Sequence, residues 1–315
     1  MQQKQFIYNH INVTNKQNDI NMIKKLKGED YYIIGIEVTD KEIKNYCTIS
    51  IDPQHSFNSK GITAIEYVFN NQIEILKKLK SHDKIFMTTI RTDIDSIGAM
   101  SVLTMLLLND FELDGDIILR LKAIARSDRH GRENWKQPKD DHFYFKNYNI
   151  YGLPSGLACM TSDYKIKIQN KIKWMIEYLK IGSFPKLKKY NDIANKNSKR
   201  SSKGLKLKII VNKKLCFVES THRSGITHGY KKTPCVIAKN DKFIFGKGNT
   251  RKVGKKVTIA QYENNKFIDL NKLADNLNKK EQGWGGSKSI IGSPQDRPSQ
   301  LDDETIINLT KSCMY

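Results

Sequence analysis

Apolar residues recur along the first half of the chain at two different periods. Ile62, Ile65, Phe69, Ile73, Leu76 and Leu79 follow one another at spacings of three and four, the stripe of one amphipathic helix with a Lys-rich last turn. Asp30–Val38 (DYYIIGIEV) and Tyr46–Ile51 (YCTISI) are rich in β-branched and aromatic residues and read as strands. Lys84–Ile90 (KIFMTTI) reads as a short buried strand, Ser96–Leu108 as an apolar helix and Ile117–Ile124 (IILRLKAI) as a further strand. A helix over Lys165–Leu179 has Ile168, Ile172, Met175, Ile176 and Leu179 on one face, whereas the first 30 residues read as polar and irregular. Strands alternating with helices predict an α/β fold with a parallel sheet and flanking helices.

The pattern changes at Lys186. From there to Lys208 the chain holds nine Lys and Arg, one Asp and almost nothing apolar, which reads as a solvated linker. Five short strand-like runs follow (LKIIV, KLCFVES, PCVIAKN, KFIFG and KVTIAQY), then a helix over Leu270–Leu277, a glycine-rich stretch and a final helix near Asp302–Leu309. The expected organisation is an α/β domain over residues 1–181, a basic linker over 182–205 and a smaller α+β domain over 206–315.

Charge and cysteine usage narrow the class. Of 315 residues, 54 are Lys or Arg and 33 are Asp or Glu, a formal charge of +21. Such a surface suits polyanions, yet the chain is heavy in Lys, Ile and Asn together, as an AT-rich genome supplies whatever the function. The run from Lys186 to Lys208 holds +8 of the total, and the other +13 reads as an even Lys excess over the remaining 292 residues. Cys47, Cys159, Cys216, Cys235 and Cys313 are odd in number and never in CxxC spacing, which argues against a disulfide framework or a zinc knuckle. No apolar run approaches the roughly 20 residues of a membrane helix, and the N-terminus lacks the apolar core of a secretory signal. A cytoplasmic protein is expected, without a membrane partner.

The informative stretch is Ile85–Met100, IFMTTIRTDIDSIGAM. Asp93 and Asp95 fall between a buried strand and an apolar helix, and the carboxyl end of a strand is where open α/β sheets bind ligands. Two convergent carboxylates repel unless a cation sits between them, and hard oxygen donors suit Mg²⁺ or Mn²⁺. The plainer alternative is that Asp95 or Ser96 caps the helix while Asp93 is a solvated turn residue.

This stretch resembles the first motif of the DHH phosphoesterase superfamily: a strand, His or Asn, three residues, D-x-D, a small residue and an apolar helix carrying Gly or Ala. Here Asp93-Ile94-Asp95-Ser96-Ile97-Gly98-Ala99 fits, but Thr89 stands where the family has its metal-binding His or Asn. The resemblance implies Asp93 and Asp95 as catalytic metal ligands; Arg91 inside the loop is not part of the family motif and reads as a contact for a substrate phosphate. Its later motifs, an Asp at a strand end and the Asp-His-His signature, match loosely. Asp128 and His130 are the catalytic candidates there, Asp128 and His55 the further metal ligands, and Asp140-Asp141-His142 a second option.

Near the C-terminus, Gly283-Trp284-Gly285-Gly286-Ser287-Lys288 follows a helix without forming a Walker A or Rossmann fingerprint. It resembles in order and setting the glycine loop of the DHH-associated C-terminal domain, with Ser287-Lys288 where the family usually has His. The implied substrate-binding groups are the Gly285 and Gly286 amides and Lys288; His222 and Arg223, in a polar cluster leaving the predicted strand KLCFV, are further candidates from the sequence itself. The resemblance thus implies a hydrolase using Mn²⁺ or Mg²⁺ on a phosphodiester or phosphoanhydride in a nucleotide, cyclic dinucleotide or short oligonucleotide, with a homodimer left open. The alternative is a catalytically degenerate nucleic-acid or nucleotide-binding protein of the same fold.

Overall fold

The computed structural model describes residues 4–11, 16–53, 62–108, 114–130, 155–222, 225–246, 251–262 and 266–315. The chain divides into two units, the first running to Arg129 and taking in the helices up to Ala194, the second running from Asn195 to Tyr315. Together they make an α/β protein with a parallel sheet in the first unit and a mixed sheet in the second.

Four parallel strands, β1 (Gln5–His10), β2 (Tyr32–Ile36), β3 (Ile49–Ile51) and β4 (Lys84–Thr89), lie in the order β1-β4-β2-β3. Alternation along them serves two cores. Ile33 and Phe86 pack with Ile20 and Ile23 of α1 (Lys16–Gly28) and Ile43 of α2 (Lys41–Lys44). Ile34, Ile36, Ile85 and Met87 face the larger core formed with α3 (Ala64–Asn70), α4 (Gln72–Leu79), α5 (Ile94–Leu107), α6 (Gly115–His130), α7 (Ser155–Ser162) and α8 (Ile168–Ile181). α5 lies at the centre of that core, with all fourteen of its residues buried. A helix apolar all round is what such a position requires.

Three expectations need correction here. The N-terminal segment is not irregular, because Phe6, Ile7 and Tyr8 put β1 beside β4 and Ile20, Ile23 and Leu26 give α1 its buried face. Ile117–Ile124 is helical, within α6: Ile117, Leu121, Ile124 and Ala125 are buried at spacings of four, three and one, and so short an apolar run does not distinguish strand from helix by itself. The stripe from Ile62 to Leu79 is two helices, broken at Asn71, whose side chain donates to the Tyr67 carbonyl at 2.8 Å.

The basic run is also more ordered than a linker. Leu187–Ser202 forms α9, with Tyr190 and Ala194 buried at a spacing of four beneath the exposed lysines. Beyond it, β5 (Lys206–Val211), β6 (Leu215–Glu219), β7 (Cys235–Phe245), β8 (Lys252–Gln261), β9 (Gly285–Gly286) and β10 (Ile290–Gly292) form a sheet in the order β5-β6-β7-β8-β10-β9. The predicted runs PCVIAKN and KFIFG are one long strand, β7, with an irregularity between Asn240 and Phe243. One face packs on α11 (Leu270–Asn278) and α12 (Asp303–Ser312), while Val218 and Val236 pack with Tyr230, next to α10 (Gly225–Gly229), on the other. No helix among the described residues is long and apolar enough to cross a membrane.

Candidate functional site

Strand register puts four strand ends level. His10 pairs with Thr89, Thr89 with Ile36, and Ile36 with Ile51, each the last residue of its strand. Because all four strands are parallel, the residues that leave them emerge on one edge, where the interior strand β4 leads into α5. Glu37 leaves β2, Asp52 leaves β3, and the loop carrying Arg91, Asp93 and Asp95 leaves β4.

Asp93 is the N-cap of α5. Its Oδ1 accepts the Ser96 amide at 3.0 Å and the Ser96 hydroxyl at 2.8 Å, and among the described residues Oδ2 accepts no hydrogen bond. Asp95, fully buried, does not cap its own helix. Its two oxygens accept the amides of Ala64 at 2.6 Å and Ile65 at 2.8 Å, the opening residues of α3. An added Cβ at Gly98 would come within 2.6 Å of Ile65 Cδ1, so this glycine lets α3 approach α5 closely enough for that cap. Thr89 turns its hydroxyl into its own loop, donating to the Arg91 carbonyl at 2.8 Å and accepting the Arg91 amide at 3.2 Å. It thus closes the turn that presents Asp93.

Glu37 is the residue the sequence reading missed. It is 6% exposed, takes a left-handed backbone (φ 51) rare for a non-glycine residue, and its Oε2 has no hydrogen-bond partner among the described residues. Burial raises its carboxyl to about 10, and the charges of Asp93, Asp95, Asp128 and Asp52 push in the same direction. Asp95 is raised to about 8, first by burial and then by Asp128, against the pull of its two amide bonds. Glu37 and Asp95 thus both feel the charges of Asp93 and Asp128, and Glu37 that of Asp52 as well. The sequence does carry a signal for Glu37, an acidic residue interrupting an apolar strand run at its end.

Lys171 is the second omission, a lysine on the otherwise apolar face of α8. It is 2% exposed, and its Nζ donates to Thr92 Oγ1 at 2.9 Å and to the Thr161 carbonyl at 2.5 Å. Burial lowers its ammonium to about 8, partly offset by Asp163. One buried cation therefore pins the acidic loop beside Asp93.

The remaining expected residues divide by unit. Asp128 lies on α6, not at a strand end as expected, and its charge reaches Glu37 and Asp95. The backbone of His130 is in the last turn of α6. His55, Arg223 and Asp140-Asp141-His142 lie outside the described residues. In the second unit, Gly285 and Gly286 form the exposed edge strand β9, and Lys288 is exposed in the turn after it. Asn278 organises this turn, its Oδ1 accepting the Gly283 and Trp284 amides at 2.8 and 2.9 Å. His222 follows β6, its amide donating to Ser220 Oγ at 3.1 Å.

A divalent cation fits the oxygen donors of the acidic edge, which include Glu37 Oε2, without a partner among the described residues. Among the described residues, however, no three His, Cys, Asp or Glu side chains are gathered as a ready ligand set. No model of a known protein family matches the sequence, and no curated protein matches it either.

Proposed function

We propose that the chain is a metal-dependent phosphoesterase of DHH type, acting on a phosphodiester or phosphoanhydride in a nucleotide, cyclic dinucleotide or short oligonucleotide. The observation that carries this reading is the buried Glu37 Oε2, without a hydrogen-bond partner among the described residues, at the carboxyl edge of a parallel sheet from which Asp52, Asp93 and Asp95 also emerge. A carboxylate held in that way is destabilised in the isolated chain and relieved by a cation. Asp93 Oδ2 and Glu37 Oε2 would hold Mn²⁺ or Mg²⁺, with Asp52 and Asp128 adjoining. When bound, the ion supplies Lewis acidity toward a phosphoryl oxygen and toward water. Arg91, in the same loop, would bind the substrate phosphate.

Asp95 has a role the resemblance alone does not suggest. With both oxygens on backbone amides, it fixes the spacing between α3 and α5 and so holds the loop bearing Asp93. Lys171 and Thr89 hold the same loop from its other sides. These groups orient the acidic edge before any cation binds.

The committed oxygens of Asp95, together with the inward-turned Thr89 hydroxyl, favour a second reading, a nucleotide- or nucleic-acid-binding protein without catalysis. A screen of cyclic dinucleotides, short oligonucleotides and polyphosphate with added Mn²⁺ separates the two. The enzyme reading expects turnover that is abolished in D93N. Turnover unchanged in D93N would refute it, and nucleotide binding without turnover would establish the second.

A further inference from the structure

The positive charge is not an even Lys excess. Residues 1–194 carry 29 Lys and Arg against 23 Asp and Glu, whereas residues 195–315 carry 25 against 10. Drift in base composition acts on the whole chain alike, yet +15 of the +21 falls on these 121 residues and only +6 on the other 194.

The excess is densest where α9 runs into β5. Between Lys196 and Lys214 there are eight Lys and Arg and no acidic residue, and all eight side chains are exposed. At about 100° per helical residue, Lys196, Lys199 and Arg200 fall within an arc of about 100°. That arc is opposite Ala194 and Ser201, both of which are buried, Ser201 against His228 at 3.1 Å. Lys203 continues the line past the helix end. Lys206 and Lys208 then alternate onto one side of β5, the edge strand of the sheet. Of these six, Lys206 alone has an acidic neighbour among the described residues, Glu219 at 3.7 Å. Like charges at helical spacing destabilise a helix by about 0.2–0.5 kcal/mol per pair, and Asp192, four residues before Lys196, is the one acidic residue on α9.

We propose that this line of cations, from Lys196 to Lys208, is a sequence-independent binding track for the phosphate backbone of a nucleic acid. An anionic membrane is the poorer fit, because a membrane-surface helix needs an apolar face turned outward. Here the apolar residues of α9 turn inward, and Ile209 is the single large apolar side chain exposed along the track. The proposal does not depend on the phosphoesterase reading, since it concerns the second unit and needs no metal.

Fluorescence anisotropy of labelled 20-nucleotide single-stranded DNA, single-stranded RNA and duplex DNA, all in EDTA, tests it on the full chain. Six phosphate contacts predict that log affinity for a single strand falls with log salt with a slope of about −4. K199E/K203E/K208E should weaken binding at least tenfold, while K272E/K279E/K311E, which reverses three exposed lysines elsewhere in the unit, should change it less than threefold. Matched circular dichroism spectra and Tm values exclude misfolding as the cause. Equal losses in the two triple variants, absence of binding to all three nucleic acids, or tighter binding to phosphatidylserine vesicles would each overturn the proposal. Comparing the three nucleic acids identifies which strand form the track takes.

Discussion

Asp95 Oδ1 accepts the backbone amide of Ile65 at 2.8 Å, a side chain of one helix capping another that begins thirty residues earlier in the chain. With the Ala64 amide at 2.6 Å on Oδ2, both oxygens are used and neither is exposed. D95N replaces one acceptor by an NH₂ group facing an amide donor. It should destabilise the first unit by about 1–3 kcal/mol, the range for leaving a buried backbone donor unsatisfied. Urea unfolding measures this, and a change below about 0.5 kcal/mol would mean that the cap contributes little.

Gly98 tests the same contact from the other side. G98A places a methyl 2.6 Å from Ile65 Cδ1, the mobile end of a side chain, so it should cost about 1 kcal/mol. G98V adds bulk that Ile65 cannot clear and should cost about 3 kcal/mol. The two midpoints in one denaturant series give the comparison.

Glu37 makes stability depend on pH in a definite direction. Its carboxyl titrates at about 10 in the folded chain and near 4.3 when unfolded. Below that lower value both states hold the proton. Between the two values the folded state holds more protons, so its contribution is lost as pH rises. In EDTA, E37Q should therefore gain stability relative to the unaltered chain from pH 5 to 9, because Gln mimics the protonated acid. Added Mn²⁺ should reverse that ranking at pH 8. Thermal unfolding across this pH range, with and without the ion, is the measurement.

Lys171 has the opposite sign. Its ammonium titrates at about 8 in the folded chain against about 10.4 when unfolded. The unfolded state then holds more protons between these values, so the contribution is present above the upper value and lost as pH falls through about 8. The difference in Tm between the unaltered chain and K171M should change from pH 7.5 to 10.5, in favour of the unaltered chain. T92V, which removes the hydroxyl that Lys171 contacts, should weaken Mn²⁺ binding several-fold by calorimetry, while T92S preserves it.

The α/β class was legible because the strands that become β2 and β4 and the helices α5 and α8 carry long, unambiguous apolar patterns. Asp93 and Asp95 were legible as a pair, but their division of labour was not. Which oxygen caps which helix depends on α3 lying against α5, a packing fact with no local signature. The run Ile117–Ile124 was misread because its apolar residues satisfy either period over so few positions, and α9 because charge hid the spacing of Tyr190 and Ala194. Glu37 and Lys171 were missed for a shared reason. Each is a lone charged residue in an apolar pattern, and only burial distinguishes it from a surface residue.

The strand order has a consequence for how the chain comes off the ribosome. β1 and β2 are neighbours in sequence but are separated in the sheet by β4, which ends at Thr89. Until those residues emerge, β1 has no strand to pair with and β2 has only β3, a three-residue edge. The apolar α5 emerges next, and its burial relies in part on α8, about 60 residues later. Nascent chains stalled before α8 should therefore be protease-sensitive and should recruit chaperones, with protection arriving in one late step.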